Sequence, residues 1–293
     1  MKQQTAVLVV NKSSRRSQRL LDDIAAACQK YSIELCNTFI VSKSSDSLEQ
    51  AMKKALAANE TLILIGGGDG TISNAVDYVA YTNKEIGIIP LGTTNNFARS
   101  IGMPESIDDC VKRIAQSKAR EVDLGKIDSE YFANAATIGV SANIASNVTN
   151  RQKKYFGRLA YGLVGMIELV KHKPFYVRIS DVDADMEISM ETHQLVIANG
   201  RYHAGKAIAT DAALTSRELV LFALGGRSKL GLVFRMIDFY SGRRKSIRHH
   251  SYVLGRNIRI HTTPRQKVEL DGELAFTTPI ELSVAAKSIK VRY

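Results

Sequence analysis

The chain has 293 residues, an apolar fraction of 45% and a formal net charge of +11. That length supports two domains with their own cores, and no run approaches the roughly 18–20 uncharged apolar residues of a membrane span. Cys28, Cys36 and Cys110 are far apart and form no CxxC pair, which argues against a disulfide framework or zinc site and suits a reducing cytoplasm. The first apolar run, Ala6 to Val10, is too short for a secretory signal, so a soluble protein is expected.

The first half alternates strand-like and helix-like segments. Ala6–Val10 reads as a strand, and Ser17–Tyr31 carries Leu20, Leu21, Ile24, Ala27 and Cys28 at helical spacing. Ile33–Ile40 is a second strand and Leu48–Ala58 a second helix. Thr61–Ile65 is a third strand, followed by glycines and a helix over Ile72–Tyr81. Ile86–Ile89 is a fourth strand and Ile107–Ala115 a further helix. Strands separated by helices imply parallel pairing with helices on both faces of the sheet. In such sheets ligands bind at the carboxyl ends of the strands.

After about Val122 the pattern changes to alternating strands: Phe175–Ile179, Met186–Ser189, Gln194–Ala198, Leu219–Leu224, Asn257–His261, Gln266–Leu270, Leu274–Phe276 and Ile280–Val284. These predict an antiparallel sandwich or barrel. Two helices interrupt it, over Phe156–Val170 and Lys229–Tyr240. No linker or repeat separates the halves, so they are expected to abut and form a cleft.

The charge is unevenly placed. Residues 1–147 are neutral overall, residues 148–178 carry +6 and residues 227–268 carry +10. Such asymmetry points to an anionic partner for the second half. Phe234, Phe239, Tyr240 and Tyr252 lie among the basic residues, but no helix-turn-helix or zinc-finger spelling accompanies them. A membrane surface therefore ranks above nucleic acid. A solvated basic face is the plain alternative.

Three short stretches carry chemistry. The first is Gly66-Gly67-Gly68-Asp69-Gly70-Thr71, directly after the third strand. Glycine removes the Cβ, so successive backbone N–H groups can converge on an anion such as phosphate, and Asp69 could hold a divalent cation beside it. A tight turn is the structural alternative. The stretch lacks the Lys-Ser/Thr ending of a Walker A loop and has Thr71 where a dinucleotide fingerprint needs its third glycine. The second stretch, Pro90-Leu91-Gly92-Thr93-Thr94-Asn95-Asn96-Phe97-Ala98, follows the fourth strand. Alone it reads as a helix N-cap run; beside the first it could donate to phosphate. The third, Val268 to Phe276, contains Asp271-Gly272-Glu273, a hairpin turn followed by a carboxylate able to take a proton from a hydroxyl.

In this order and at these separations the three stretches resemble the catalytic domain of the diacylglycerol kinase superfamily, and within it the bacterial soluble lipid kinases related to sphingosine and ceramide kinases. The likeness extends to Val122-Asp123-Leu124-Gly125, Phe156-Gly157 with Ala160-Tyr161, and Ala198-Asn199-Gly200-Arg201-Tyr202, and so covers essentially the whole chain. It implies an α/β nucleotide-binding domain over residues 1–122, rejoined by about 286–293, and an all-β sandwich-like lipid domain over 123–285. ATP-binding positions carry over to Asn11, Ser42, Gly66, Gly67, Gly68, Asp69, Gly70, Thr71 and Thr93. By the same resemblance Asp69 engages nucleotide-bound Mg²⁺ and Glu273 is the general base. The implied activity is ATP-dependent phosphorylation of a membrane lipid hydroxyl, as of diacylglycerol or phosphatidylglycerol, with the protein cytoplasmic and peripheral to the inner membrane face. Oligomeric state is open, a homodimer included.

The chain departs from the family pattern at several positions. Asn74 stands for a usual Glu, Asn96 for a usual Asp, Lys12 for a common proline and Ser42 for a usual Thr. His203-Ala204-Gly205-Lys206 stands where relatives are richer in glycine. Ser216-Arg217 replaces an Asp-Gly whose aspartate anchors a structural Mg²⁺ in bacterial relatives, in a network with the position of Asp123. The alternative reading is a lipid- or nucleotide-binding relative with little turnover; a weaker third is an NAD kinase, whose second glycine- and serine/threonine-rich motif is not found.

Overall fold

In the computed structural model the described residues are 4–11, 17–41, 45–140, 142, 173–203, 206–207, 213–224 and 252–293. Ser42, Lys12, the expected helices at 156–170 and 229–240, and most of the two basic segments lie outside them. The chain divides into two compact units. One comprises Met1–Leu124, Leu214–Ser216 and Ala285–Tyr293; the other comprises Gly125–Ala213 and Arg217–Val284.

The first unit runs β1 (Gln4–Asn11), α1 (Ser17–Lys30), β2 (Ile33–Val41), α2 (Ser45–Ala57), β3 (Leu62–Gly67), α3 (Asp69–Val79), β4 (Glu85–Pro90), α4 (Asn96–Ser100), α5 (Ile107–Gln116) and β5 (Ala119–Ile127), whose last residues belong to the second unit. Strands β2, β1, β3 and β4 are parallel in that order. The middles of β1, β3 and β4 are wholly buried. Strands covered on both faces need near-continuous apolar runs, and Val7–Val10 and Leu62–Ile65 supply them. Ile24 of α1, Met52 of α2, Val76 of α3 and Ile114 of α5 complete the core. Helix α5 is capped by Ser106, whose Oγ accepts from the Asp109 amide at 3.1 Å, with Asp108 and Asp109 in its first turn where the helix dipole favours them. Cys28 and Cys110 are buried, which pushes their thiols up to about 11 and about 12; Cys36 is exposed on β2, and none is in a disulfide.

The second unit is built of antiparallel strands: β6 (Glu130–Phe132), β7 (Ala135–Gly139), β8 (Phe175–Asp181), β9 (Met186–Thr192), β10 (Gln194–Ala198), β11 (Tyr202–His203), β12 (Lys206–Ala207), β13 (Leu219–Leu224), β14 (Tyr252–Gly255), β15 (Asn257–Thr263), β16 (Lys267–Leu270), β17 (Glu273–Thr277) and the first part of β18 (Ile280–Arg292). One sheet has the order β14-β13-β10-β7-β16-β17, and the other continues from β18 through β15 and β8 to β9. Ile138, Leu195, Ile197, Leu221 and Val268 from the first pack against Val177, Ile179, Ile258, Ile260 and Leu282 from the second. Strands β8 and β15 alternate buried and exposed residues, as half-covered strands do. This is the mixed α/β domain followed by a β-sandwich that the sequence implies.

Some elements differ from expectation. Helix α3 begins at Asp69 rather than Ile72, because Gly68 serves as its N-cap and the acidic Asp69 suits a first turn. Strands β5 and β7 were not expected. Their sequences mix charge, glycine and alanine, and pairing with neighbours overrides that weak propensity. Strand β18 runs to Arg292, and its last residues pair in parallel with β4, Val291 opposite Ile86. There Arg292 Nε donates to Glu85 Oε2 at 2.6 Å and Arg292 Nη1 to Gln4 Oε1 at 2.6 Å. Among the described residues no helix is long and apolar enough to cross a membrane.

Candidate active site

Three parallel strands of the first unit end side by side in the residues singled out above. Gly66 and Gly67 are the last residues of β3, and Gly67 lies opposite Pro90 at the end of β4. Gly68 then caps α3 in an extended conformation with no side-chain acceptor, while the amides of Thr71 and Ile72 turn back to its carbonyl at 3.0 and 3.1 Å. The amides of Asp69 and Gly70, which precede those two, have no intrahelical partner; with no side-chain cap they could receive an anion, which the helix dipole also favours.

The glycines have separate reasons. A Cβ on Gly67 would come within 2.5 Å of the Thr71 side chain, and one on Gly92 within 2.6 Å of the Gly68 Cα, so the two loops touch backbone to backbone. At Gly70 a Cβ would meet nothing within 4 Å. Packing therefore does not require glycine there, and the first turn of α3 is open on that side.

Asp69 is braced from the neighbouring loop. Thr94 Oγ1 donates to its Oδ2 at 2.6 Å, Asn96 Nδ2 to the same oxygen at 3.3 Å, and the Phe97 amide to Oδ1 at 3.4 Å. The Thr94-Asn95-Asn96 run is thus more than a helix cap. Asn95, the N-cap of α4, has left-handed backbone (φ +47) and no side-chain bond to the helix; its carboxamide bonds the amide and carbonyl of Gly92 instead. Asn11, ending β1, donates from Nδ2 to Thr71 Oγ1 at 2.9 Å. Thr93 is exposed on the same loop. Asn11, residues 66–71 and Thr93 therefore come together, with Thr94 and Asn96 as additions that only the side-by-side ends of β3 and β4 reveal. Asn74 turns its side chain back to the Gly70 carbonyl at 2.8 Å.

The Asp69 arrangement fits a nucleotide-bound Mg²⁺: one half-buried carboxylate, with Oδ1 only weakly engaged, beside an anion-binding helix start. Magnesium is commonly held by one or two carboxylates plus substrate phosphates. Asp123 does not meet such a description. It is 3% exposed, its Oδ1 accepts the Lys287 amide at 2.7 Å, and its own amide donates to the Leu214 carbonyl at 2.7 Å. Lys287 in turn pairs with Glu121 at 2.6 Å. Ser216 brings no carboxylate, and among the described residues no group of three or more His, Cys, Asp or Glu could hold a metal. A structural metal is not supported by these residues; a backbone amide takes the Asp123 oxygen instead.

Glu273 belongs to the second unit. Asp271 and Gly272 turn the β16–β17 hairpin with φ of +47 and +101, and Glu273 pairs with Leu270 just beyond it, exposed to solvent. The tip is fixed by Asp271, a residue whose role the hairpin spelling alone did not disclose. Its Oδ2 accepts the Ala133 amide at 2.7 Å, and its Oδ1 accepts the Asn134 and Ala135 amides at 2.9 Å each.

Comparison with known proteins agrees with this construction. Residues 5–127 match the diacylglycerol kinase catalytic domain, and residues 134–293 match the YegS C-terminal NAD kinase beta sandwich-like domain. The chain belongs to the diacylglycerol kinase catalytic-domain superfamily. A diacylglycerol kinase of Bacillus subtilis (strain 168) is 29% identical over 235 residues, covering 79% of this chain and 77% of that protein. The crystal structure of a diacylglycerol kinase from Bacillus anthracis str. Sterne shares the fold with a TM-score of 0.78 at 21% identity, over 100% of this chain and 98% of the other.

Proposed function

We propose that the chain transfers the γ-phosphoryl group of ATP to a hydroxyl of a membrane lipid such as diacylglycerol or phosphatidylglycerol. The observation that carries this reading is the start of α3, capped by a glycine with no side-chain acceptor, beside a carboxylate braced by Thr94, Asn96 and Phe97. The open first-turn amides and Gly70 would receive the phosphates, and Asp69 would hold Mg²⁺, which neutralises charge on the transferred group. Glu273 takes the proton of the lipid hydroxyl as its oxygen forms a bond to the γ-phosphorus. The bond from that phosphorus to the β,γ-bridging oxygen breaks, and ADP leaves. The basic segments at 148–178 and 227–268 favour peripheral contact with an anionic membrane, each nearby Lys or Arg adding roughly 1 kcal/mol.

Radiolabelled ATP with total lipid extract in mixed micelles tests the reading. A new labelled phospholipid is expected, and Glu273→Gln should reduce its formation by about 10²- to 10⁴-fold, as for loss of a general base. Tight ATP binding with no labelled lipid would favour the non-catalytic alternative, to which Ser216 and Asn74 lend weight; label appearing only on added NAD would favour the third reading.

A methyl group at residue 70 separates ligand contact from protein packing. Gly70→Ala should leave the melting temperature equal or slightly higher, since alanine is the better helix former. Nucleotide affinity, read by calorimetric titration, should fall by about tenfold or more if phosphates lie in that open space. Unchanged affinity would move the phosphates elsewhere.

A further inference from the structure

At one end of the sandwich unit the backbone of residues 133–135 is held from two sides. Asp271 accepts its three amides, as described, and donates its own amide to the Ala135 carbonyl at 3.0 Å. From the opposite side the amides of Asn199 and Gly200 donate to the Asn134 carbonyl at 2.9 and 3.3 Å, and Asn199 Nδ2 donates to the Ala133 carbonyl at 3.1 Å. The Asn134 side chain takes no part in this net. The residue is 3% exposed, yet its Oδ1 is buried without a hydrogen-bond partner among the described residues.

Nearly all buried polar side-chain atoms are bonded, because an oxygen left dry destabilises the fold. Neighbouring Ala133, Ala135 and Ala136 show that a small apolar residue suits this part of the chain. An asparagine kept there at a cost is explained by a partner that arrives with a ligand. Its place is set by the clamp: the Asn134 amide is bonded to Asp271, two residues before Glu273.

An amide oxygen only accepts, so the ligand must bring an O–H or N–H. The inference rests on the lipid kinase reading, in which the reacting hydroxyl has one proton and Glu273 removes it. That hydroxyl cannot also donate to Asn134. We infer that Asn134 Oδ1 accepts from a second donor on the acceptor lipid, so that the chain selects head groups with two neighbouring donors, a glycerol diol or an amino alcohol, over lipids with a single free hydroxyl.

The test uses the full chain and ATP with four acceptors in separate mixed micelles: diacylglycerol (one hydroxyl), monoacylglycerol and phosphatidylglycerol (diols), and sphinganine (an amino alcohol). For at least one two-donor acceptor, kcat/KM should exceed that for diacylglycerol by about tenfold or more, since a site built to bond a substrate hydroxyl rejects the analogue lacking it. Asn134→Ala should lower that ratio by about tenfold, mainly through KM, and Asn134→Ser should restore part of it. The ligand-free Asn134→Ala protein should melt no more than about 2 °C below the parent, because no bond is lost. The diol and amino-alcohol arms identify which donor is used. Equal ratios before and after substitution, a uniform loss on all four acceptors, or a fall in melting temperature of about 10 °C would each overturn the inference. Product without preference defeats it alone; no product on any acceptor, parent protein included, defeats the lipid kinase reading as well.

Discussion

Asp69→Asn should reduce lipid phosphorylation by about 10²- to 10³-fold while the protein stays folded. The side chain keeps its shape, but on the proposed reading the charge beside the transferring phosphates is lost, and removing one preorganised electrostatic partner typically has an effect of this size. The substitution also places a new N–H₂ near Asn96 Nδ2, which now donates to the carboxylate at 3.3 Å. A modest decrease in melting temperature is therefore expected, far smaller than the kinetic loss. Initial rates with saturating ATP and a thermal melt on the same preparation decide the matter. Retained turnover would reduce Asp69 to a strut between two loops.

Asp271→Ala should act in the opposite proportion, first on stability. The carboxylate accepts three backbone amides at 2.7–2.9 Å, and truncation leaves all three without an acceptor. Amides of that kind cost about 1–3 kcal/mol each when buried. These are partly buried and can recover some hydration, so about 3 kcal/mol is expected in total. For a unit of this size that corresponds to a melting shift of roughly 6–12 °C. Turnover should fall as well, because the same bonds fix the hairpin on which Glu273 stands. Asp271→Asn, which retains one acceptor oxygen, should be milder on both counts. A normal melting curve for Asp271→Ala would show that the turn residues Asp271 and Gly272 hold the hairpin without the clamp.

Much of the first unit could be read directly. Buried parallel strands need unbroken apolar runs, and Ala6 to Val10, Leu62 to Ile65 and Ile86 to Ile89 are such runs, so β1, β3 and β4 were placed within a residue or two. In the sandwich, β10 and β13 were legible in full for the same reason. What escaped was fixed by partners distant in sequence. Ala135-Ala136-Thr137-Ile138-Gly139 has little strand propensity of its own, and it is a central strand only because β10 and β16 flank it. The stretches proposed to bind nucleotide were visible as glycine- and hydroxyl-rich ends of strands. That Thr94 and Asn96 reach across to Asp69 was not, since the contact depends on β3 and β4 lying side by side. Asp271 looked like an ordinary turn residue because a turn explains Asp-Gly completely; its three amide partners lie more than 130 residues away. No local signal marked Asn134.

Strand β18 has a further consequence. Its residues from Ala285 onward belong to the α/β unit, where Arg292 reaches Glu85 across 207 positions of sequence. During synthesis the β4 edge must wait, unpaired, for a segment far later in the chain. Long-range pairing of this kind is slow and leaves a sticky edge exposed to other chains. Deleting Ala285–Arg292 should therefore destabilise the α/β unit, because the β4 edge would lose the strand that covers it.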